Sequence, residues 1–144
     1  MLQHYKEWFE SYKDKVFTDF FTFLKFRSVS TDSAYQKEIR LCADWLVNFL
    51  QNTGFHSELW HTMGHPTVFA SHMEAGKDCP TLLFYQHYDV QPASHLNEWE
   101  SDPFIPIERE GKIYARGASD NKGQCFYVLS AIQAFLELTK TPKV

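Results

Sequence analysis

The chain has 144 residues, of which 44% are apolar and 17% aromatic, enough to bury one hydrophobic core and too many for a disordered segment. Its formal charge of −4, with lysines and arginines scattered, argues against a nucleic-acid binder or a protein held by charge to an anionic membrane. No apolar run reaches the roughly 18 residues of a membrane span, the first residues lack the order of an export signal, and three widely spaced cysteines suggest neither a disulfide framework nor a thiolate metal site, so the expectation is a cytoplasmic single domain.

Tyr5, Trp8, Phe9, Tyr12, Val16, Phe20, Phe21 and Leu24 recur at intervals near three and four, which predicts an amphipathic helix, or two in series, with the aromatic stripe in the core. Small polar residues from Arg27 to Asp32 break the period. A second helix follows, burying Ile39, Leu41, Cys42, Trp45, Leu46, Phe49 and Leu50, and Gly54 is a natural stop for it. The period then changes. Phe55 to Trp60, Thr67 to Met73 and Thr81 to Tyr88 are short runs rich in β-branched and aromatic residues, and they predict three strands separated by turns.

The polar, proline-bounded stretch from Ala93 to Pro103 is expected to be a loop. Ile105 to Glu108 and Lys112 to Tyr114 form a hairpin pattern around Glu110-Gly111. Phe126, Leu129, Ile132, Phe135 and Leu136 mark the apolar face of a last helix of about 15 to 18 residues that begins just after Asp120 and ends by Pro142. Helices alternating with strands predict an α/β fold with a mixed sheet flanked by helices.

Thr81 to Tyr88 has the nearly all-apolar character of a strand covered on both faces, with His87 at its carboxyl end, the edge where open α/β sheets place their ligands. Residues two apart share a side of an extended chain, so His87 and Asp89 can point together. An imidazole that binds a divalent metal through one nitrogen needs its other N–H accepted, and a carboxylate does this while fixing the tautomer. Asp120 lies between a glycine-containing turn and a helix start, and a carboxylate there can bridge two metal ions about 3.5 to 4 Å apart. Taken singly, each motif has a simpler reading: a solvated histidine, or an aspartate capping a helix.

In combination the residues resemble the M20 family of metallopeptidases, in particular its dipeptidase-like branch. The resemblance rests on Ser28-Val29-Ser30, on His87-Tyr88-Asp89-Val90-Gln91-Pro92, on Trp99 followed by Asp102-Pro103-Phe104, and on Tyr114-Ala115-Arg116-Gly117-Ala118-Ser119-Asp120-Asn121-Lys122-Gly123. It implies a zinc-exopeptidase-like fold, incomplete as given, with His87 a zinc ligand, Asp89 the acidic residue that orients it, Asp120 the bridging ligand and the Asp120–Asn121 peptide cis. It further implies two Zn2+ ions per complete site, with Mn2+ or Co2+ as substitutes, and a dipeptide or short peptide substrate.

Family members continue with an adjacent glutamate pair supplying the general base and a ligand, then a further acidic ligand and a final histidine. Many also dimerise through a smaller inserted domain. None of these is recognisable here, so residues 1–144 are expected to be the amino-terminal portion of a catalytic domain, inactive alone. Glu98 and Glu100 match no family position. His61 and His65 are expected in a solvated loop, His4, His56, His72 and His95 have no partner pattern, and Cys125 is expected to pack rather than ligate. The alternatives are an N-acyl amino acid amidohydrolase of the same family and, from another class, a truncated non-catalytic binding module whose apolar faces would have to be polar or paired.

Overall fold

The computed structural model describes residues 2–139. The opening aromatic stripe forms one continuous helix, α1 (Leu2–Lys25), supported by (i, i+4) pairs such as Lys15–Asp19 on its wet side. Only part of the stripe is core. Trp8, Phe23 and Leu24 are buried, whereas Phe9 and Tyr12 are more than a third exposed. The buried residues are those that meet a neighbour: Trp8 Nε1 donates to Glu137 at 2.6 Å on the last helix, and Phe20 and Phe23 face the other helices.

Asp32 caps a short 3-10 turn at Ser33–Tyr35 through the Ala34 N–H, and helix α2 (Gln36–Asn52) follows. Ile39, Cys42, Ala43 and Leu46 form its buried face, while Leu41 lies off that face and is exposed. Gly54 (φ +98°) ends the helix as expected. The Gly54 and Phe55 N–H groups donate back to the Gln51 and Leu50 carbonyls, each at 3.0 Å, a closure that needs the left-handed backbone glycine adopts freely.

Strands β1 (His56–Trp60) and β2 (Thr67–Ser71) pair antiparallel with His56 opposite Ser71, and β1 packs on α2. Strands β3 (Ile107–Arg109) and β4 (Lys112–Tyr114) form the expected hairpin, with Glu110 and Gly111 both at positive φ in the two-residue turn. Helix α3 (Lys122–Leu138) completes the element order. Pro142, the expected stop, lies outside the described residues.

The α/β class predicted from the sequence is what forms. The strands, however, pair as two separate antiparallel pairs, not as one mixed sheet. The third expected strand, Thr81 to Tyr88, has no ladder among the described residues. The isolated bridge nearby, parallel between Val29 and Val90, lies two residues beyond it, and the run is not covered on both faces, since Leu82, Leu83, Phe84 and Tyr85 are exposed. Apolar composition marks a segment suited to a sheet interior, but a strand exists only where another offers it hydrogen bonds.

The core lies where the three helices converge, around Phe23, Cys42, Leu46, Cys125 and Phe126. Phe20 stacks on Phe126 and Phe23 on Trp45, each at 5.3 Å between centroids. Burial pushes the Cys42 thiol up to about 11 and the Cys125 thiol up to about 12, so neither offers a thiolate at neutral pH. Cys79 is only half-buried, its Sγ donating to the Ala75 carbonyl. Iodoacetamide at pH 8 in the absence of denaturant is therefore expected to alkylate Cys79 and spare Cys42 and Cys125, as read by peptide mass spectrometry. Modification of Cys42 under those conditions would contradict this packing.

Candidate metal centre

The end of α1 and the residues just after it organise the centre. Chain Ser28-Val29-Ser30 lies beside Tyr88-Asp89-Val90: the Val90 N–H donates to the Ser28 carbonyl at 2.9 Å, the Ser28 hydroxyl to the Tyr88 carbonyl at 2.7 Å, and the Ser30 hydroxyl to Asp89 Oδ2 at 2.5 Å. The backbone bond from Val90 to Ser28, with the parallel bridge between Val29 and Val90, holds the chain extended from Tyr88 to Val90 although no full ladder forms, so His87 and Asp89 do point together.

His87 Nδ1 lies 2.9 Å from Asp89 Oδ1, and His87 Nε2 lies 3.3 Å from Asp120 Oδ1. Burial would raise the Asp89 carboxyl, but the hydrogen bonds from Ser30 and His87, with the field of the imidazole and a backbone hydrogen bond, outweigh it and hold the group below its ordinary value. The ionised Asp89 accepts the Nδ1 proton, and in a neutral ring that leaves the Nε2 lone pair facing a carboxylate oxygen. Two lone pairs so placed can share a cation between them. The donor set, one imidazole nitrogen and one carboxylate oxygen at a partly exposed edge, fits two positions of a divalent metal's coordination shell. Among the described residues no group of three or more His, Cys, Asp or Glu side chains is placed to hold a metal ion.

Asp120 reaches this edge from a turn that glycine makes possible. Gly117 has φ +83°, and a Cβ there would fall 2.8 Å from Val90 Cγ1, so the turn and the His87 segment touch. At Gly123 a Cβ would fall 2.0 Å from the Ala118 carbonyl oxygen. The Asp120–Asn121 peptide is cis, as the resemblance implied. The Asn121 amide donates to Gln86 Oε1 at 2.7 Å, joining the two arms a second time, while its own Oδ1 is buried and has no partner among the described residues.

Lys122 is fully buried, and its ammonium donates to the Phe23 and Phe26 carbonyls at 3.0 and 2.6 Å. Desolvation brings its pKa down to about 8 against the opposing pull of Cys42, Cys125 and nearby carboxylates. In the sequence Lys122 stands only as part of the family motif, although a lysine at the head of an apolar helix is a signal in itself.

The structure thus brings together His87, Asp89 and Asp120. Glu98 sits in a 3-10 turn and Glu100 pairs with Arg109, away from any metal-ligating arrangement. His65 departs from the solvated loop expected of it: half-buried, its Nε2 lies 2.8 Å from the Ser30 carbonyl, so it braces the segment that holds Asp89. His61, in the same loop, is exposed. In the sequence Ser28 and Ser30 belong to a family motif with no role attached to either hydroxyl. Their spacing of two, which puts both hydroxyls on one side of an extended chain, was the available clue.

Residues 83–144 match the model of the family described as Peptidase family M20/M25/M40. A succinyl-diaminopimelate desuccinylase of Xylella fastidiosa (strain 9a5c) is 38% identical over 95 residues, 66% of this chain and 24% of that protein. Human carnosine dipeptidase 1 superposes with a TM-score of 0.83 at 25% identity, over 96% of this chain and 32% of its own. An M20 family metallo-carboxypeptidase from Sulfolobus solfataricus gives a TM-score of 0.76 at 38% identity, over 87% and 28%. The chain spans about a quarter of the length of the curated relatives it matches.

Because no side chain can be added at Gly123 without moving the Ala118 carbonyl, Gly123→Ala is expected to lose about 1–3 kcal/mol of stability. Urea denaturation followed by circular dichroism measures this, and an unchanged midpoint would show that the turn has room the distances deny.

Proposed function

Because this chain belongs to the M20/M25/M40 peptidase family, we propose that the protein containing it is a zinc-dependent hydrolase of dipeptides or short peptides, and that residues 1–144 form the amino-terminal portion of its catalytic domain. The observation that carries this reading is the imidazole held between two carboxylates, Asp89 on Nδ1 and Asp120 facing Nε2. In it His87 and Asp120 would hold the metal, Asp120 as the ligand shared between two ions, and Asp89 would orient His87. When bound, divalent metal polarises the scissile carbonyl and lowers the pKa of the attacking water.

The chain's own contribution is to hold two donors at a fixed separation. Asp89 keeps the Nδ1 proton in place, so that Nε2 is the free donor in every copy of the site. The turn at Gly117 and the contact between Asn121 and Gln86 keep Asp120 against it. The general base and the remaining ligands would come from elsewhere in the protein, as would a domain for homodimer formation. Among the described residues no helix is long and apolar enough to cross a membrane, and the three free cysteines support a reducing, cytoplasmic setting.

A second reading has its own support. The curated relatives are named for removing a succinyl group from succinyl-diaminopimelate, which favours an amidohydrolase of N-acylated amino acids, whereas the likeness to carnosine dipeptidase 1 favours peptides.

The test uses the full-length protein, stripped of metal by chelation and reloaded with Zn2+, Mn2+ or Co2+, against a panel of dipeptides and N-succinyl amino acids. Activity is expected to vanish on chelation and return with metal, and His87→Ala and Asp120→Ala are expected to abolish it. Asp89→Asn is expected to weaken zinc binding by roughly 10–100-fold. Hydrolysis that survives chelation would overturn the metal reading, and turnover confined to N-succinyl substrates would overturn the peptidase reading in favour of the second.

A further inference from the structure

Resting on the metal reading above, we propose that Ser30 is a positioning residue for the His87 ligand, acting through Asp89. A carboxylate that accepts from an imidazole through one oxygen can still swing about its last torsion, and with it the ring. Here the second oxygen is also taken. Ser30 Oγ donates to Oδ2 at 2.5 Å while Oδ1 faces His87 Nδ1 at 2.9 Å, so the plane of the carboxylate is set from both sides.

The hydroxyl is itself held in place by its backbone. Val29 bridges Val90, the Val90 N–H donates to the Ser28 carbonyl, and His65 Nε2 lies 2.8 Å from the Ser30 carbonyl. Ser30 is thus the outermost member of a line that runs through Asp89 and His87 to the edge where Asp120 waits.

Ser28 provides an internal control. It sits two residues earlier on the same segment and is fully buried, and its hydroxyl donates to a backbone carbonyl, that of Tyr88, without touching Asp89 or His87. If the segment matters only for folding, losing either hydroxyl should act through stability alone. If Ser30 positions the ligand, the two losses should separate.

The experiment compares Ser30→Ala, Ser30→Thr and Ser28→Ala with the parent full-length protein by zinc competition against a chromophoric chelator, the visible spectrum of the Co2+ form and the thermal midpoint. Ser30→Ala is expected to weaken zinc about three- to tenfold and shift the Co2+ bands with little change in midpoint, and Ser30→Thr to restore affinity to within about twofold. Ser28→Ala is expected to lower the midpoint more and to leave zinc affinity within about twofold of the parent. Zinc affinity lost in proportion to stability in both alanine variants would reduce Ser30 to a structural role, and unchanged affinity in Ser30→Ala would show that Asp89 is held without it. A parent protein with no zinc binding that His87→Ala removes would instead overturn the metal reading itself.

Discussion

The buried ammonium of Lys122 is answered by two backbone carbonyls at the end of α1. A charge taken out of water is costly, and here it is tolerated because the last carbonyls of a helix have no partners of their own and lie at the negative end of its dipole. The aliphatic stem packs against the turn at Gly117, and the Phe23 ring lies 5.1 Å from the charge. One side chain therefore joins the finish of the first helix to the start of the last.

From this tie the geometry of the centre follows. The chain leaving α1 turns through Ser28 to Ser30 and grips Tyr88 to Val90, while Lys122 brings the Asp120 turn back to the same corner. Both arms are tied to one segment, residues 23 to 30, and His87 and Asp120, 33 positions apart in the chain, come within 3.3 Å of each other. Asn121 on Gln86 and Gly117 on Val90 then lock the arms directly.

The helices, the first two strands and the hairpin at Glu110-Gly111 were legible because each is a local matter: apolar spacing, a glycine stop after α2, and a turn that wants positive φ at both positions. That His87, Asp89 and Asp120 come together was legible from residue type and order. What escaped depended on pairing across distance. The run from Thr81 reads as a buried strand, yet it needs a neighbour that the described residues do not place beside it. Phe9, Tyr12 and Leu41 have the period of core residues, but period shows only which face would be buried if something lay against it. Lys122 and Ser30 take their meaning from carbonyls and a carboxylate more than fifty residues away.

The same unpaired run bears on how the protein must be made. Thr81-Leu82-Leu83-Phe84-Tyr85 carries no charge and no proline, and Leu83 and Tyr85 are nearly nine-tenths exposed or more. Free N–H and C=O groups along such a stretch are a template for any similar stretch that meets them. A ribosome that has just released these residues holds out an adhesive edge, and copies made close together on one message can zip to each other through it. Shielding has to last beyond this run, because the helical core closes only when Cys125 and Phe126 of α3 have also been made.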